Sequence, residues 1–142
     1  MARKLLGAAL ALMLSLTFAS TAWAADTITL PAKGKATPPP EGFAVVKVTY
    51  TCDPREGETY MDMSVVQTIT DETGTYTVSD FDHIDGLLPL TCDGRKHKVT
   101  QVMGADSVIT DFATGPATVC AGFWNTLSSY FGPRTCGTVI LR

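Results

Sequence analysis

The sequence lacks the motifs that identify several common classes of enzyme and metalloprotein. It contains no CxxC pair and only two histidines, whereas a structural zinc site needs clustered cysteine or histidine ligands. No GxSxG elbow surrounds any serine after residue 24, so nothing marks a hydrolase nucleophile. No stretch of ten or more residues shows helical periodicity. The sequence therefore predicts no cofactor, no metal site and no catalytic activity, and it favours an all-β domain.

The one long apolar run lies near the N-terminus, where Leu5–Phe18 follows two basic residues and precedes Ala22-Trp23-Ala24. This order is typical of a secretory signal peptide, with cleavage expected after Ala24. The alternative is a membrane anchor, but the run is shorter than the roughly 20 apolar residues that a spanning helix needs. We therefore expect a secreted, extracellular protein with no membrane span in residues 25–142.

Acidic residues are in small excess. Two of the 11 basic residues and none of the 14 acidic residues lie in Met1–Ala24, so the net charge of −3 becomes −5 in the mature chain. A mildly acidic surface argues against nucleic acid and anionic lipid as partners. The mature chain of 118 residues, which is 142 less 24, suits one domain, and we expect a monomer.

All four cysteines lie in the mature chain. An even number in an oxidising compartment predicts two disulfides, for which three pairings are possible. We favour Cys52–Cys92, because two strands that run the same way are expected to end there. We also favour Cys120–Cys136, because the last two strands are expected to form a hairpin. In the loop-entropy description each closure stabilises the fold by about 3 to 4 kcal/mol.

Strand-like alternation recurs along the mature chain, most clearly in Phe43–Cys52, where Val46 and Val48 alternate with Lys47. The other predicted strands are a short opening strand within Asp26–Lys35, Tyr60–Ile69, Thr75–Val78 as a short edge strand or ordered loop, Leu87–Cys92 as an edge strand that contains Pro89, His97–Met103, Pro116–Trp124 and Arg134–Leu141.

Turn signals separate these strands. Asp71–Gly74 predicts a turn, and Asp93-Gly94 predicts a hairpin that returns along His97–Met103. Thr37–Gly42 holds three prolines, which have no amide donor, so it predicts an extended link rather than a strand. About seven short strands with regular turns predict an antiparallel sandwich with immunoglobulin-like topology. A closed barrel is the alternative.

Several motifs resemble those of one group of proteins. They are Tyr50-Thr51-Cys52 at a strand end, the turn Thr91–Gly94, the spacing Phe112-x-x-Gly115-x-Ala117-x-Val119, and a last strand that bears a cysteine. Together they resemble small exported bacterial immunoglobulin-like sandwich proteins of unknown function, over most of the mature chain. The resemblance implies the sandwich fold and brings no catalytic residue with it.

The histidines and one acidic stretch are the remaining candidates for chemistry. His83 lies in Asp80–Asp85, whose carboxylates could bind a divalent cation, but the spacing does not match a calcium loop. We interpret this stretch as a solvated acidic turn. His97 could act as a hydrolase base, but its basic neighbours favour a solvated hairpin tip that could bind a small anion.

The connection between the last two strands is the best candidate for a binding site. In the immunoglobulin arrangement it takes the place of the longest antibody loop, and Cys120–Cys136 would hold it rigid. Rigid aromatics lose little entropy on binding and dominate interfaces, and they can also stack on sugar rings. For Trp124, Tyr130 and Phe131 we favour packing as a cover for one end of the core, and binding is the alternative. We assign Phe123 to the core, and the candidate binding residues are Trp124, Tyr130, Phe131 and Arg134.

The sequence therefore favours a secreted, non-catalytic binding or interaction module for an unknown extracellular protein or glycan. The alternative is an inhibitor of an extracellular enzyme that acts through the disulfide-braced 120–136 loop, with Gly132-Pro133-Arg134 as its extended part. A purely structural surface protein is a third possibility.

Overall fold

Eight β-strands and no helix make up the described part of the chain in a computed structural model. It describes residues 25–37, 42–82, 89–104, 111–128 and 134–142. The all-β prediction is confirmed. The strands are β1 Thr27–Thr29, β2 Lys33–Ala36, β3 Ala44–Thr51, β4 Thr59–Asp71, β5 Gly74–Asp82, β6 Lys96–Met103, β7 Gly115–Asn125 and β8 Thr135–Leu141.

The strands form two groups that β2 joins. In the first group β6 pairs antiparallel along the whole of β3, so β1 and β2 share the other edge of β3. In the second group the order is β8–β7–β4–β5, and all neighbours are antiparallel. Lys35 and Ala36 of β2 pair with β3, whereas Lys33 and Gly34 pair in parallel with β8. The sheet is therefore mixed, and β2 connects the two groups because it pairs with a strand of each.

β2 has no separate counterpart among the predicted strands. The predicted opening strand corresponds to β1, and the sequence of β2, KGKA, shows no apolar alternation. Backbone bonds hold it instead: Ala36 N donates to Arg142 O at 3.0 Å, and Arg142 N donates to Gly34 O at 3.2 Å. Residues 38–41 of the predicted proline-rich link lie outside the described residues.

Five strands lie within two residues of their predicted bounds, namely β3, β4, β6, β7 and β8. β5 is longer than the predicted segment Thr75–Val78, because it pairs with β4 from Met63 to Asp71. The predicted turn between these two strands is confirmed, since Gly74 has a φ of 144° and Asp71 Oδ1 accepts from Thr73 N at 2.7 Å.

The predicted edge strand Leu87–Cys92 is wrong for residues 89–92, which form no strand. Single hydrogen bonds tie this segment to two different strands instead of one ladder. Leu90 N donates to Thr59 O at 2.7 Å, and Thr91 N donates to the Tyr50 hydroxyl at 3.3 Å. Residues 87 and 88 lie outside the described part.

The hairpin predicted at Asp93-Gly94 is also wrong, because β6 returns along β3 and not along residues 89–92. The two residues do form a turn. Gly94 has a φ of 75°, which favours glycine, and its N–H donates to Cys52 O at 2.9 Å.

One buried cluster takes side chains from both groups of strands. Val46, Val48 and Tyr50 of β3 point inward and alternate with exposed Lys47, as the sequence predicted. Tyr50 meets Phe123 of β7 edge to face, with ring centroids 6.2 Å apart. Phe123 is fully buried, so its assignment to the core is confirmed.

Gln67 is the polar interruption on the inward face of β4, and it is 2 % exposed. Its side chain makes two hydrogen bonds with one residue: Nε2 donates to Ala113 O at 2.8 Å, and Oε1 accepts from Ala113 N at 2.9 Å. Buried polar groups are costly unless they are paired. The side-chain amide of Gln67 is therefore paired through both its nitrogen and its oxygen, and it holds the backbone of Ala113, two residues before β7 begins.

Both favoured disulfides are present. Cys52–Cys92 joins residues 40 apart in sequence, and Cys52 is fully buried. Cys120 and Cys136 are 16 residues apart and lie opposite each other on β7 and β8. Cys136 is exposed and Cys120 is half-buried, so the second disulfide lies at the protein surface.

Candidate binding surface on the outer face of β4 and β7

Trp124 lies on the outer face of β7, between two buried neighbours, Phe123 and Asn125. Alternation along a strand sends adjacent side chains to opposite faces. The core therefore takes Phe123 and leaves Trp124 half-buried on the outside. Of the other candidates, Arg134 directly precedes β8, whereas Tyr130 and Phe131 lie outside the described residues.

Trp124 packs against Tyr60, its register partner on β4. The ring centroids are 5.8 Å apart and the planes are tilted by 44°. The Tyr60 hydroxyl donates to Glu58 Oε2 at 2.5 Å, and this hydrogen bond raises the pKa of Tyr60. A cross-strand partner and a fixed hydroxyl hold the two rings as one apolar surface.

Arg134 reaches across β7 to β4. Its Nη1 donates to Asp62 Oδ2 at 3.0 Å, and its Nη2 donates to Ser64 Oγ at 2.9 Å. Gly122 lies opposite Asp62, and a Cβ atom added there would be 3.9 Å from Arg134 Cγ. The stem of Arg134 therefore passes over the residue of β7 that has no side chain.

Together Tyr60, Asp62, Ser64, Trp124 and Arg134 form what we call the aromatic–arginine patch. Residues two apart on a strand are about 7 Å apart on one face, so the ring pair is the neighbour of the arginine contact. The exposed side chain of Arg134 is 46 % accessible, and that of Asp62 is 24 % accessible. The patch thus places two half-buried aromatic rings, a guanidinium and a carboxylate on one outer face.

Asn125 fixes the start of the connection that follows β7. Its Oδ1 accepts from Leu127 N at 3.0 Å and from Ser128 N at 3.1 Å. Its Nδ2 donates to Glu56 O and to Thr59 Oγ1, both at 3.1 Å. This buried amide, 1 % exposed, holds a turn that leaves Leu127 70 % exposed. An asparagine at a strand end is a known turn signal, but none of the predicted turns includes Asn125.

The outer face continues from the patch into a shallow depression of about 220 Å³. Its lining is apolar and hydroxylated, and it comprises Val66, Thr68, Pro116, Ala117, Thr118 and Thr138. Thr68, Thr118 and Thr138 are exposed. The outer surface near the Cys120–Cys136 disulfide therefore has a shallow depression in addition to the aromatic pair.

Sequence reasoning missed Tyr60, Asp62 and Ser64. The signal was present, since all three alternate with Met61, Met63 and Val65, which are buried on the inward face of β4. What the sequence could not show is that Arg134 reaches Asp62 from 72 residues away. Both terminal nitrogens of the guanidinium make hydrogen bonds to β4.

His97, considered as a hydrolase base, makes a hydrogen bond with Asp93, whose Oδ1 lies 2.8 Å from Nε2. Its ring lies 5.6 Å from that of Tyr50. The hydrogen bond with His97 lowers the pKa of Asp93. Of the acidic stretch at Asp80–Asp85, residues 83–85 lie outside the described part.

In the described ranges no three histidine, cysteine or acidic residues are placed to hold a metal ion. None of the described residues belongs to a helix that is long and apolar enough to cross a membrane. Comparison of the chain with protein-family models and with curated proteins finds no match to either.

Proposed function

We propose that the protein is a secreted, non-catalytic binding module that captures an extracellular protein or glycan through the aromatic–arginine patch. One observation carries this proposal: Trp124 and Tyr60 pack on the outer face of the sheet while the adjacent Phe123 fills the core. An aromatic pair that the core does not need is available for a ligand.

The patch is pre-organised. Tyr60 is held by Glu58, and Arg134 is held by Asp62 and Ser64. Groups that are fixed before binding lose little conformational entropy when a ligand arrives. Aromatic rings beside a guanidinium suit a protein partner, because tryptophan, tyrosine and arginine dominate binding hot spots. The same rings offer flat apolar surface to the C–H face of a sugar.

We propose that the fold is an immunoglobulin-like sandwich, and the pairing of β2 supports this finer fold class. It pairs antiparallel with β3 at one end and parallel with β8 at the other, so it joins two groups of strands around one buried cluster. Two disulfides and the signal-like segment Met1–Ala24 support an extracellular site of action.

Capture from culture medium and from the cell surface tests the function. The bait is the chain itself, and the matched baits are Trp124→Ala and Thr77→Ala, the second on an exposed threonine of β5. We expect the wild-type and Thr77→Ala baits to retain the same partner and the Trp124→Ala bait to lose it. If Trp124→Ala retains the partner equally well, the patch is not the site.

A further inference from the structure

The charges of this acidic chain are sorted between the two groups of strands. All five lysines that follow residue 24 lie in β2, β3 and β6, and these strands together with β1 contain no acidic residue. The strands β4, β5, β7 and β8 contain four aspartates and no lysine or arginine. The chain is acidic as a whole, but the strands of the first group carry only basic charges.

Four of these lysines form a diagonal line across the outer face of the first group. Lys35 pairs with Val45, two residues before Lys47, and Lys98 pairs with Thr49, two residues after it. Diagonal neighbours in a sheet are about 7 to 8 Å apart. Lys96 follows at about 7 Å on the same strand, so the line extends for roughly 20 Å. We call Lys35, Lys47, Lys98 and Lys96 the lysine line.

The charge of the lysine line is not neutralised within the described residues. All four side chains are exposed. Arg55–Asp26 and Arg134–Asp62 are ion pairs between other residues, and His97 makes its contact with Asp93, so none of these contacts includes a lysine. Lys33, at the other end of β2, adds a fifth exposed cation beside Ile140.

The remaining residues of this face are mainly hydroxylated. Thr29 and Thr49 lie in the row of Lys98, and Thr100 lies opposite Lys47. Hydroxyl groups both donate and accept hydrogen bonds, as sugar hydroxyls do. Phe43 is 38 % exposed at the end of the face, and β1, β2, β3 and β6 present no other outward ring. Binding of single-stranded nucleic acid usually relies on several stacking aromatics.

We infer that the lysine line binds an extended anionic polysaccharide, one that carries carboxylate or sulfate groups along its chain. A row of cations at about 7 Å steps matches a linear polyanion better than a compact anion. The flanking threonines suit its hydroxyls. This surface lies on the strand group opposite the aromatic–arginine patch, so the inference does not depend on the proposed function.

Two variants of equal net charge test the inference on the full chain. Lys47→Gln with Lys98→Gln removes two charges from the line, whereas Thr77→Glu with Thr118→Glu adds two negative charges to the outer face of the other group. All four positions are exposed, so both variants are expected to fold. Lys47→Arg with Lys98→Arg keeps the charge and serves as the conservative rescue.

The probes are heparin fragments and polygalacturonate, with duplex DNA and vesicles of phosphatidylcholine and phosphatidylglycerol in equal parts for comparison. We expect wild type to bind a polysaccharide probe, with affinity falling steeply between about 50 and 200 mM salt. The Lys→Gln pair should lose about tenfold or more in affinity, and the Thr→Glu and Lys→Arg pairs should lose much less.

Equal losses in the Gln and Glu variants would overturn the inference, because only net charge would then matter. No binding of either polysaccharide at low salt would also overturn it. Tighter binding to DNA or to vesicles than to both polysaccharides would contradict the proposed class of ligand.

Discussion

Gly34 of β2 and Leu141 of β8 are register partners, and a Cβ atom on Gly34 would lie 2.9 Å from Leu141 Cδ2. The same atom would lie 3.0 Å from Val45 O of β3. The glycine thus lies at the point where β2 passes from one group of strands to the other. Its backbone can approach both neighbours because it carries no side chain.

Gly34→Ala is expected to destabilise the fold by about 1 to 3 kcal/mol, because the added methyl group overpacks a site with backbone on one side. Gly122→Ala is the matched control in a strand interior, since its Cβ would find only ordinary contact with Arg134 at 3.9 Å. Chemical denaturation of both variants measures the difference. Equal free energies of unfolding would show that β2 does not constrain the fold there.

Phe123→Ala and Trp124→Ala are expected to differ in stability although the residues are adjacent. Phe123 is fully buried, and removing such a ring costs about 3 to 5 kcal/mol. Trp124 lies on the outer face against Tyr60, and a cross-strand aromatic pair contributes about 0.5 to 1.5 kcal/mol. Thermal and denaturant unfolding measure both losses. A loss for Trp124→Ala as large as that for Phe123→Ala would make the tryptophan a cover for the core.

The two disulfides are expected to differ in their response to reductant. Cys136 is exposed, whereas Cys52 is fully buried, so limiting reductant should open Cys120–Cys136 first. Alkylation followed by peptide mass spectrometry identifies which thiols are freed. Complete reduction should then make the chain protease-sensitive, because each closure stabilises a domain by about 3 to 4 kcal/mol. Early labelling of Cys52 would contradict the order, and protease resistance after verified full reduction would contradict the role of the disulfides.

Asp71 is expected to titrate abnormally low in the turn between β4 and β5. Hydrogen bonds from the Thr73 hydroxyl and the Tyr76 hydroxyl lower the pKa of Asp71 from 3.8 to about 2. Because the folded pKa is depressed, the stabilising effect of the carboxylate is present above pH 3.8 and is lost as the pH falls toward 2. Carboxyl NMR titration measures this pKa directly.

The matched variants for this titration are Tyr76→Phe and Tyr60→Phe. The first removes the donor 2.7 Å from Asp71 Oδ2 and should raise the pKa of Asp71, whereas the second removes a hydroxyl that binds Glu58 and should leave it unchanged. An ordinary pKa for Asp71 in the wild type would show that the turn is open in solution.

Local patterns of the sequence predicted the strands that bury one face. Val46 and Val48 alternate with Lys47 because one side of β3 meets the core, and that alternation is visible in the sequence. β2 could not be predicted in this way, because its place depends on backbone bonds to Arg142 and β3 and not on its side chains. Leu87–Cys92 shows the opposite case. Its apolar residues predicted a strand, but residues 89–92 form no strand.

The candidate site was predictable in part. Trp124 was predicted as an aromatic residue at the end of the strand that bears Cys120. Its position outside the core depends on which face of β7 each residue takes. The contact of Arg134 with Asp62 joins residues far apart in sequence, and it depends on the order β8–β7–β4. No local pattern encodes such a contact.

The fluorescence of Trp124 tests the proposed binding site most directly. Of the two tryptophans in the sequence, Trp23 lies in the predicted signal peptide, so the emission of the mature chain, residues 25–142, reports on Trp124 alone. Titration with the captured partner should change the emission of Trp124 saturably, while heparin fragments, which are expected on the opposite strand group, should leave it unchanged. A captured partner that binds with no change in Trp124 emission would contradict the assignment of the site to the aromatic–arginine patch.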